Sequence, residues 1–217
     1  MKINLLKRYP RAKRNLKSRN EKKTNKIRSI ARKFGKEYFD GDRNYGYGGY
    51  FYNPKYWNKV VKDFKKKYKL NKQSRILDVG CGKGFMLYEF QKLIPGIKLY
   101  GLDISKYAIK NSVRSIKKKL IVGNCTKLPF TDNFFDLVIS INTLHNLPKT
   151  HCVKAIKEVQ RVTKKNSFIT VDAYKNNLEK KRMFMWNLTA KTILHEKSWE
   201  KLFKYCNYKG DYYWFKP

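Results

Sequence analysis

Short apolar runs alternate with longer amphipathic segments from residue 54 onward. The apolar runs at 75–79, 97–102, 120–122, 134–141 and 167–172 have the length and composition of buried strands. The segments at 54–68, 84–93, 105–118 and 152–162 repeat apolar residues at helical spacing. This alternation predicts an α/β fold with a doubly wound, mostly parallel sheet.

The two ends of the chain follow other patterns. Residues 1–33 are basic and predict a flexible or helical arm, while residues 34–53 alternate glycine with tyrosine, which disfavours a regular helix and predicts a lid. After residue 172, a helical pattern at 177–190 and a helix capped by Ser198 precede a final strand at 212–215. We therefore expect a basic arm at 1–33, a lid with its helix at 34–72 and a main domain at 73–217.

The first predicted strand runs into a turn with three alternate glycines, Gly80, Gly82 and Gly84. Glycines let a ligand approach the backbone, and the N–H groups at the start of the next helix point toward that ligand. A dinucleotide-binding turn has its last glycine at the sixth position, which is Phe85 here, so nicotinamide or flavin binding is disfavoured. Asp78 adds a carboxylate at the strand end, which suits a cationic ligand.

The second predicted strand ends in Asp103, which lies 23 residues after Gly80. A carboxylate at about this distance, on the neighbouring parallel strand, is placed to accept hydrogen bonds from a ribose. The alternative is a surface aspartate next to the helix that begins at Ser105. The pair of Asp78 and Asp103 therefore predicts a nucleoside site at two adjacent strand ends.

Five sequence motifs follow one another along the chain: Asp78-Val-Gly-Cys-Gly-Lys-Gly84, Leu102-Asp103, Gly123-Asn124-Cys-Thr-Lys-Leu-Pro-Phe130, Phe135-Asp136-Leu-Val138 and Glu158-Val-Gln-Arg161-Val162. As a set they resemble the motifs of class I S-adenosylmethionine-dependent methyltransferases, closest to the small-molecule branch that includes the ubiquinone and menaquinone biosynthesis enzymes. The resemblance covers about residues 54–172. It implies a Rossmann-like fold, S-adenosylmethionine as the cofactor, and cofactor contacts from Asp78, Gly80, Cys81, Gly82, Gly84, Asp103, Ile104, Asn124, Cys125 and Ser140.

The chain departs from this family at two places that matter for the prediction. The family has an aspartate beside the adenine where this chain has Asn124, whose amide oxygen can still accept a hydrogen bond from the adenine amino group. The family's sheet also ends in an antiparallel pair of strands, whereas only one strand fits before Pro217. We therefore expect the seventh strand to be missing.

Residues that follow the fourth and fifth strands are expected to face the methyl acceptor, because ligands of open α/β sheets bind beyond the carboxyl ends of the strands. His145 is a candidate general base, and Asp172 is a candidate base or an anchor for a substrate amine. The alternatives are a histidine packed behind the loop and a solvated strand end. In the lid, Arg43 is expected to pair with an acidic group of the substrate, and the rings of Tyr45, Tyr47 and Tyr50 are expected to contact a cation. Asn142 and Tyr174, which follow the fourth and fifth strands, are further expected contacts of the acceptor.

The net charge of +35, from 51 basic and 16 acidic residues, widens the choice of acceptor. Residues 1–36 hold 15 of the basic residues and one acidic residue, which is typical of a nucleic-acid-binding arm or of a lysine-rich composition throughout. The absence of aromatic residues interleaved with most of these charges favours the second interpretation. We predict methyl transfer to nitrogen or oxygen of a small, anionic metabolite; RNA methylation with the arm on the phosphates is the alternative, and a non-catalytic binding protein is a third.

Cysteine spacing and hydropathy add three expected absences. The four cysteines are far apart, so we expect free thiols in a reducing, cytoplasmic compartment and no metal site. No apolar run reaches the roughly 18 residues of a membrane span. Residues 1–6 are too short and polar for a secretory signal.

Overall fold

The computed structural model describes residues 1–10 and 15–217. Seven strands form its sheet, and they are β1 (Arg75–Val79), β2 (Lys98–Asp103), β3 (Leu120–Val122), β4 (Phe135–Ile141), β5 (Thr163–Tyr174), β6 (Leu194–His195) and β7 (Asp211–Phe215). The strand order is β3-β2-β1-β4-β5-β6, and β7 also pairs with β5. Every strand pair within the described residues is parallel, so the predicted doubly wound α/β sheet is confirmed.

Nine α-helices occur in the part of the chain that the structure describes. They are α1 (Leu16–Glu21), α2 (Asn25–Ala31), α3 (Lys36–Asp40), α4 (Pro54–Tyr68), α5 (Phe85–Leu93), α6 (Lys106–Lys110), α7 (Lys149–Val162), α8 (Asn177–Trp186) and α9 (Glu196–Tyr205). Two short 3₁₀ helices lie at Arg114–Lys119 and Leu144–Asn146. None of the helices in residues 1–10 and 15–217 combines the length and apolarity needed to cross a bilayer.

Two apolar layers hold the helices on the sheet. Residues of α4 and α5 pack on one face, where Phe64, Phe90 and Phe168 form edge-to-face ring pairs. Residues of α7 and α9 pack on the other face, where the ring of Phe203 stacks on that of Trp214 at 5.8 Å. Because both faces are covered, the central strands β1 and β4 are buried over most of their length, and ligands are expected at the carboxyl ends of the sheet.

The prediction of a missing seventh strand is wrong. The strand that the sequence pattern did not reveal is β6, which has only two residues and pairs with β5 through Ala173–Leu194 and Tyr174–His195. A strand of two residues is too short to show a period of two in the sequence. The predicted final strand is present as β7, and it runs parallel to β5 rather than antiparallel.

Two predicted helices differ in their bounds. The pattern at 105–118 predicts one helix, but α6 ends at Lys110 and a 3₁₀ helix takes up the chain at Arg114. The last helix begins at Glu196, with the His195 side chain as its N-cap, so Ser198 lies inside the helix and does not cap it. In the glycine- and tyrosine-rich segment, only Lys36–Asp40 is helical.

The basic arm packs along the main domain in the residues that the structure describes, whereas residues 11–14 of the predicted arm lie outside them. Met1 and Lys2 pair with Asp211 and Glu196, and Leu5 is buried against α4 and β1. Helix α1 packs against α8. Side chains of the arm then donate to backbone carbonyls at the end of α8 and just after it: Lys23 to Met185 and Trp186, Arg28 to Asn187 and Arg32 to Thr189.

Candidate functional site

A cavity of about 940 Å³ lies at the carboxyl ends of β1, β2, β4 and β5. Loops after these strands form its floor, and the lid segment, α8 and the chain ends contribute to its walls. This volume lies near the upper end of the roughly 300–1,000 Å³ range of small-molecule sites. It can therefore take two small ligands that react with each other.

The glycine turn brings bare backbone to the cavity. Gly80 has φ +84° and Gly82 has φ +53°, a region that side chains rarely adopt, and the N–H of Gly80 donates to Leu102 of β2 at 2.7 Å. A Cβ atom on Gly80 would lie 2.1 Å from Oγ1 of Thr143, whereas one on Gly82 would meet only Phe39 of the lid, at 3.3 Å. The turn therefore needs glycine at position 80 for packing, and at position 82 it leaves room for a ligand.

Asp103 is fixed by the same turn. Its carboxylate accepts hydrogen bonds from the N–H groups of Gly82 and Ser105, both at 2.8 Å. Burial raises the pKa of Asp103 and outweighs these two bonds, which lower it. The carboxylate lies on the cavity wall and keeps lone pairs for a ligand's hydroxyl groups.

Asp78 lies behind the turn and is 6% exposed. Burial, and then the charge of Asp103, raises the pKa of Asp78 to about 7. No donor among the described residues bonds this carboxylate, and an unpaired buried carboxylate is costly in a ligand-free protein. The predicted pair of acids at adjacent strand ends is thus present, although Asp78 is not part of the cavity wall.

The lid is tied to the glycine turn by Lys83. The ammonium group of Lys83 donates to the carboxylate of Asp40 and, at 2.6 Å, to the carbonyl of Tyr50. Tyr107 of α6 donates to the same aspartate at 2.8 Å. These bonds hold the lid over the carboxyl ends of β1 and β2.

Aromatic rings of the lid and α8 line the acceptor side of the cavity. The ring of Tyr38 is 5.1 Å from that of Phe34 and 6.3 Å from that of Tyr47, edge to face. Tyr47 stacks on Trp186 at 5.4 Å, and its hydroxyl accepts from the N–H of Leu188 at 2.9 Å. Of the candidate lid side chains only Tyr47 lines the cavity, and Tyr38, which was not a candidate, lies between Phe34 and Tyr47.

His145 and Asp172, the two candidate catalytic residues, lie next to each other on the cavity wall. The backbone N–H of Asp172 donates to Nδ1 of His145 at 3.0 Å, and the Asp172 carboxylate lies 3.7 Å from the same atom. Burial lowers the pKa of His145 to about 3 and raises that of Asp172 to about 7. Because Nδ1 accepts a hydrogen bond, the neutral ring carries its proton on Nε2 and is a donor there.

Three asparagines complete the polar wall. The amide oxygen of Asn124 accepts from the N–H and hydroxyl of Thr126, at 3.0 and 2.9 Å, so its two lone pairs are already used. Asn142 exchanges hydrogen bonds with Thr170, which fixes the loop after β4. The Nδ2 group of Asn146 donates to the Asn142 carbonyl, and its buried Oδ1 atom has no hydrogen-bond partner within the described chain.

The structure brings together about half of the predicted site residues. The cavity wall contains Gly80, Gly82, Asp103, Ile104, Asn124, Cys125, Tyr47, Asn142, His145 and Asp172. The remaining predicted residues lie outside it: Asp78, Cys81, Gly84, Ser140, Arg43, Tyr45, Tyr50 and Tyr174.

Several of these outlying residues have packing roles. The Ser140 hydroxyl donates to the Val79 carbonyl at 3.1 Å and is fully buried between strands. Cys81 belongs to the apolar core, and a Cβ on Gly84 would meet Ile116 at 2.4 Å. The ring of Tyr174 packs on His195. We therefore assign no ligand contact to these four side chains.

Sequence reasoning did not single out the wall residues that come from the arm, the lid helix and the chain end. Phe34, Tyr38 and Phe39 lie at the start of the predicted lid, before its candidate tyrosines, and Trp186 and Phe215 come from distant elements. The density of aromatic residues from position 34 was a usable signal for the first three. No local signal could have placed the other two, because tertiary packing brings them to the site.

The sequence of this chain was compared with known protein families and proteins, and it matches one family over most of its length. A family described as a methyltransferase domain matches residues 70–211. An uncharacterized protein of Methanocaldococcus jannaschii is 36% identical over 120 residues, which are 55% of this chain and 49% of that protein. Demethylmenaquinone methyltransferase of Geobacillus stearothermophilus is 36% identical over 110 residues, which are 48% of this chain and 46% of that enzyme. This chain thus spans about half the length of these two relatives.

The same architecture is found in solved structures. A SAM-dependent methyltransferase of Methanosarcina mazei superposes with a TM-score of 0.52 and 23% sequence identity. The superposition covers 66% of this chain and 82% of that one. At this identity the likeness concerns the fold, which agrees with the strand order described above.

Proposed function

This chain belongs to the family of methyltransferase domains, and from that premise we propose that it moves a methyl group from S-adenosylmethionine to a small molecule bound in the same cavity. The observation that carries the proposal is the convergence of the bare turn at Gly80 and Gly82 with the carboxylate of Asp103 on one cavity wall. A nucleoside with a cationic tail fits this combination of ribose acceptor, open backbone and buried acids.

The fit of the methyl donor rests on the chain's own groups. Asp103 would hold the ribose hydroxyls, and the turn would take the amino-acid part, where only a Cβ-free residue leaves space. Asp78, buried without a protein donor among the described residues, would supply negative charge for the cationic tail. Asn124 would donate to the adenine rather than accept from its amino group, because its amide oxygen already accepts two hydrogen bonds from Thr126. Its NH₂ group is left as the donor.

S-adenosylmethionine supplies an activated methyl group, so the protein's task is to position the acceptor. Orientation of two bound reactants can supply roughly 7–11 kcal/mol of rate acceleration. In this chain the lid, held by Lys83, and the loop after β4, held by Thr170, provide that rigidity. The aromatic wall gives the acceptor side an apolar surface.

His145 acts in this proposal as a hydrogen-bond donor and not as the general base predicted from the sequence. Its Nδ1 atom is occupied by the N–H of Asp172, so its Nε2–H group is left for a ligand. With its pKa lowered to about 3, the ring is neutral over the physiological range. The candidate proton acceptor is therefore Asp172.

Three cations of the arm have structural partners and do not add support to the RNA alternative. The buried Lys23, and the partly buried Arg28 and Arg32, donate to backbone carbonyls at and after the end of α8. Cations bound in this way are not presented to phosphates. A small-molecule acceptor is the better match to a cavity lined by aromatic rings.

The experiment that tests the proposal is calorimetry with S-adenosylmethionine and S-adenosylhomocysteine, followed by transfer of a labelled methyl group to fractionated metabolites and to RNA. Both nucleosides should bind, Asp103→Asn should weaken them at least tenfold, and Asp132→Asn on an exposed loop should not. Label should enter the metabolite fraction. Absence of binding to either nucleoside would refute the proposal.

A further inference from the structure

The charge balance on the acceptor side of the cavity points to the chemistry of the acceptor. Asp172 is 2% exposed and lies on the cavity wall in β5. The only partner of its carboxylate within the described chain is Nδ1 of His145 at 3.7 Å, in a ring that carries no charge. A buried carboxylate without a cation is unfavourable, so this site favours a ligand that brings a positive charge.

A second buried acceptor lies on the same wall. The Oδ1 atom of Asn146 has no partner among the described residues, while the Nδ2 atom of the same side chain donates to the Asn142 carbonyl. Turning the amide round would place oxygen against that carbonyl, so the hydrogen bond fixes which atom is left over. Because this Oδ1 atom is buried in the ligand-free protein, Asp172 is the acceptor that a ligand in the cavity reaches.

No cation of the described chain, Lys33 and Lys191 on the cavity wall included, pairs with the Asp172 carboxylate, and three others near the cavity have partners of their own. Lys216 pairs with Glu179 and Glu196 at 2.8 and 2.5 Å, and Arg182 donates to the Pro217 carbonyl at 3.0 Å. Arg19 packs on the rings of Tyr47 and Trp186, at 5.3 Å from each. Burial alone accounts for the perturbed acidity of Asp172, so none of these cations interacts appreciably with its carboxylate.

Strand positions separate this carboxylate from the donor's residues. The order β2-β1-β4-β5 places Asp172 two strands from the glycine turn and three from Asp103. With strands about 4.8 Å apart, these separations are about 10 and 14 Å. The carboxylate therefore lies on the side of the cavity where the acceptor must be.

The rings beside Asp172 define the rest of the ligand. The charge of Asp172 contributes to the raised pKa of both Tyr38 and Tyr47. Phe34 and Trp186 pack on these two rings and extend the aromatic surface. Ring faces attract a cation and also cover an apolar body. The pocket thus combines one anionic group with an apolar wall.

We infer that the acceptor is an amine on an aromatic or other apolar body, with its ammonium group bound by Asp172. This inference rests on the proposed methyl transfer and replaces the anionic metabolite expected from the net charge. The ammonium gives one proton to the Asp172 carboxylate, and the freed nitrogen lone pair forms the N–C bond. The C–S bond breaks with its electron pair left on sulfur, which yields a methylated ammonium and S-adenosylhomocysteine. A pKa of about 7 lets Asp172 accept and later release that proton near neutral pH.

The test uses three probes of one shape on protein saturated with S-adenosylhomocysteine: 2-phenylethylamine, 2-phenylethanol and phenylacetate. Binding is followed by NMR titration, which does not depend on turnover. The amine should bind at least tenfold more tightly than the alcohol or the acid. Asp172→Asn should remove that preference and leave the affinity for S-adenosylhomocysteine unchanged, and Asp132→Asn should preserve both.

Three results would overturn the inference. They are tighter binding of the acid or the alcohol, an amine preference that survives Asp172→Asn, and a loss of S-adenosylhomocysteine affinity in Asp172→Asn as large as the loss for the amine. The last result would show that this carboxylate serves the donor. If the unmodified protein does not bind S-adenosylhomocysteine at all, the proposed function fails before the amine is added.

Discussion

Replacing Lys23 by methionine tests whether the basic arm is a structural part of the site. Lys23 is 8% exposed, and its ammonium group donates to the carbonyls of Met185 and Trp186, both at 2.5 Å. These carbonyls belong to the last turn of α8, where helix carbonyls have no partner within the helix and carry a partial negative charge. Methionine keeps the length and apolar stem of lysine and removes only the cation.

The expected loss follows from the two hydrogen bonds. Each bond from a charged donor contributes roughly 1.5–3 kcal/mol, so the gross loss is about 3–6 kcal/mol. The methionine variant avoids the desolvation cost of a buried ammonium group, and this offsets part of the loss. A net destabilisation of about 3 kcal/mol remains, which lowers the Tm of a chain of this size by about 6–12 °C.

Urea unfolding and a thermal scan measure this loss, and Lys26→Met is the matched control. Lys26 is exposed on α2, so its substitution removes the same charge without a buried bond and should cost less than about 0.5 kcal/mol. Equal stability of the two variants would refute the structural role of Lys23. The structural role would also be contradicted if Lys23→Met bound heparin more weakly than Lys26→Met, because a buried ammonium group cannot contact a polyanion.

Three further predictions concern the site. Gly82→Ala should fold with a loss of about 1–2 kcal/mol, because Phe39 can shift slightly, yet calorimetry should show at least tenfold weaker S-adenosylhomocysteine binding. Asp172→Asn should stabilise the ligand-free protein by about 2–4 kcal/mol at pH 8 and by almost nothing at pH 4. Its folded pKa of about 7 exceeds the unfolded value of about 3.9, so the wild type loses stability as pH rises between them; urea unfolding at both pH values measures this. For His145 the pH dependence of stability is opposite, because its folded pKa of about 3 lies below the unfolded value of about 6.5. On acidification from pH 7 to 5, urea unfolding should show that the wild type loses about 2 kcal/mol relative to His145→Gln.

The sheet and the cofactor side of the site could be predicted because their signals are local. A buried strand, a glycine turn and an acid at the next strand end are each encoded within about ten residues, and parallel register then brings Gly80 and Asp103 together. The same reasoning predicted that His145 and Asp172 each face the acceptor, and the pairing of β4 with β5 brings the two side chains together. What it could not supply was the direction of the hydrogen bond between them, which changes His145 from a base into a donor.

The arm, the lid and β6 could not be predicted because long-range contacts decide them. Lys23 has the same local signature as the exposed lysines around it, and only its contact with α8, 162 residues away, gives it a role. Tyr38 lies in the predicted lid but before its candidate tyrosines, yet it occupies the centre of the aromatic wall. Strand β6 exists because β5 extends to Tyr174 and offers it an edge. Sequence pattern describes faces and periods, and it carries little information on which distant surfaces meet.

The distribution of negative charge links the two proposals. In a chain with a net charge of +35, many acids near the surface pair with cations, as Asp136 does with Lys165 at 2.9 Å. At the carboxyl edge of the sheet, the buried acids Asp78, Asp103 and Asp172 have no cation beside them within the described residues. The cost of burying such groups implies that ligands provide the missing positive charge. A sulfonium nucleoside can provide positive charge for Asp78 and Asp103, which lie on adjacent strands. Asp172 is about 10 Å from the nearer of these strands. One cation cannot serve both places, so a second one must come from the acceptor, as an amine does.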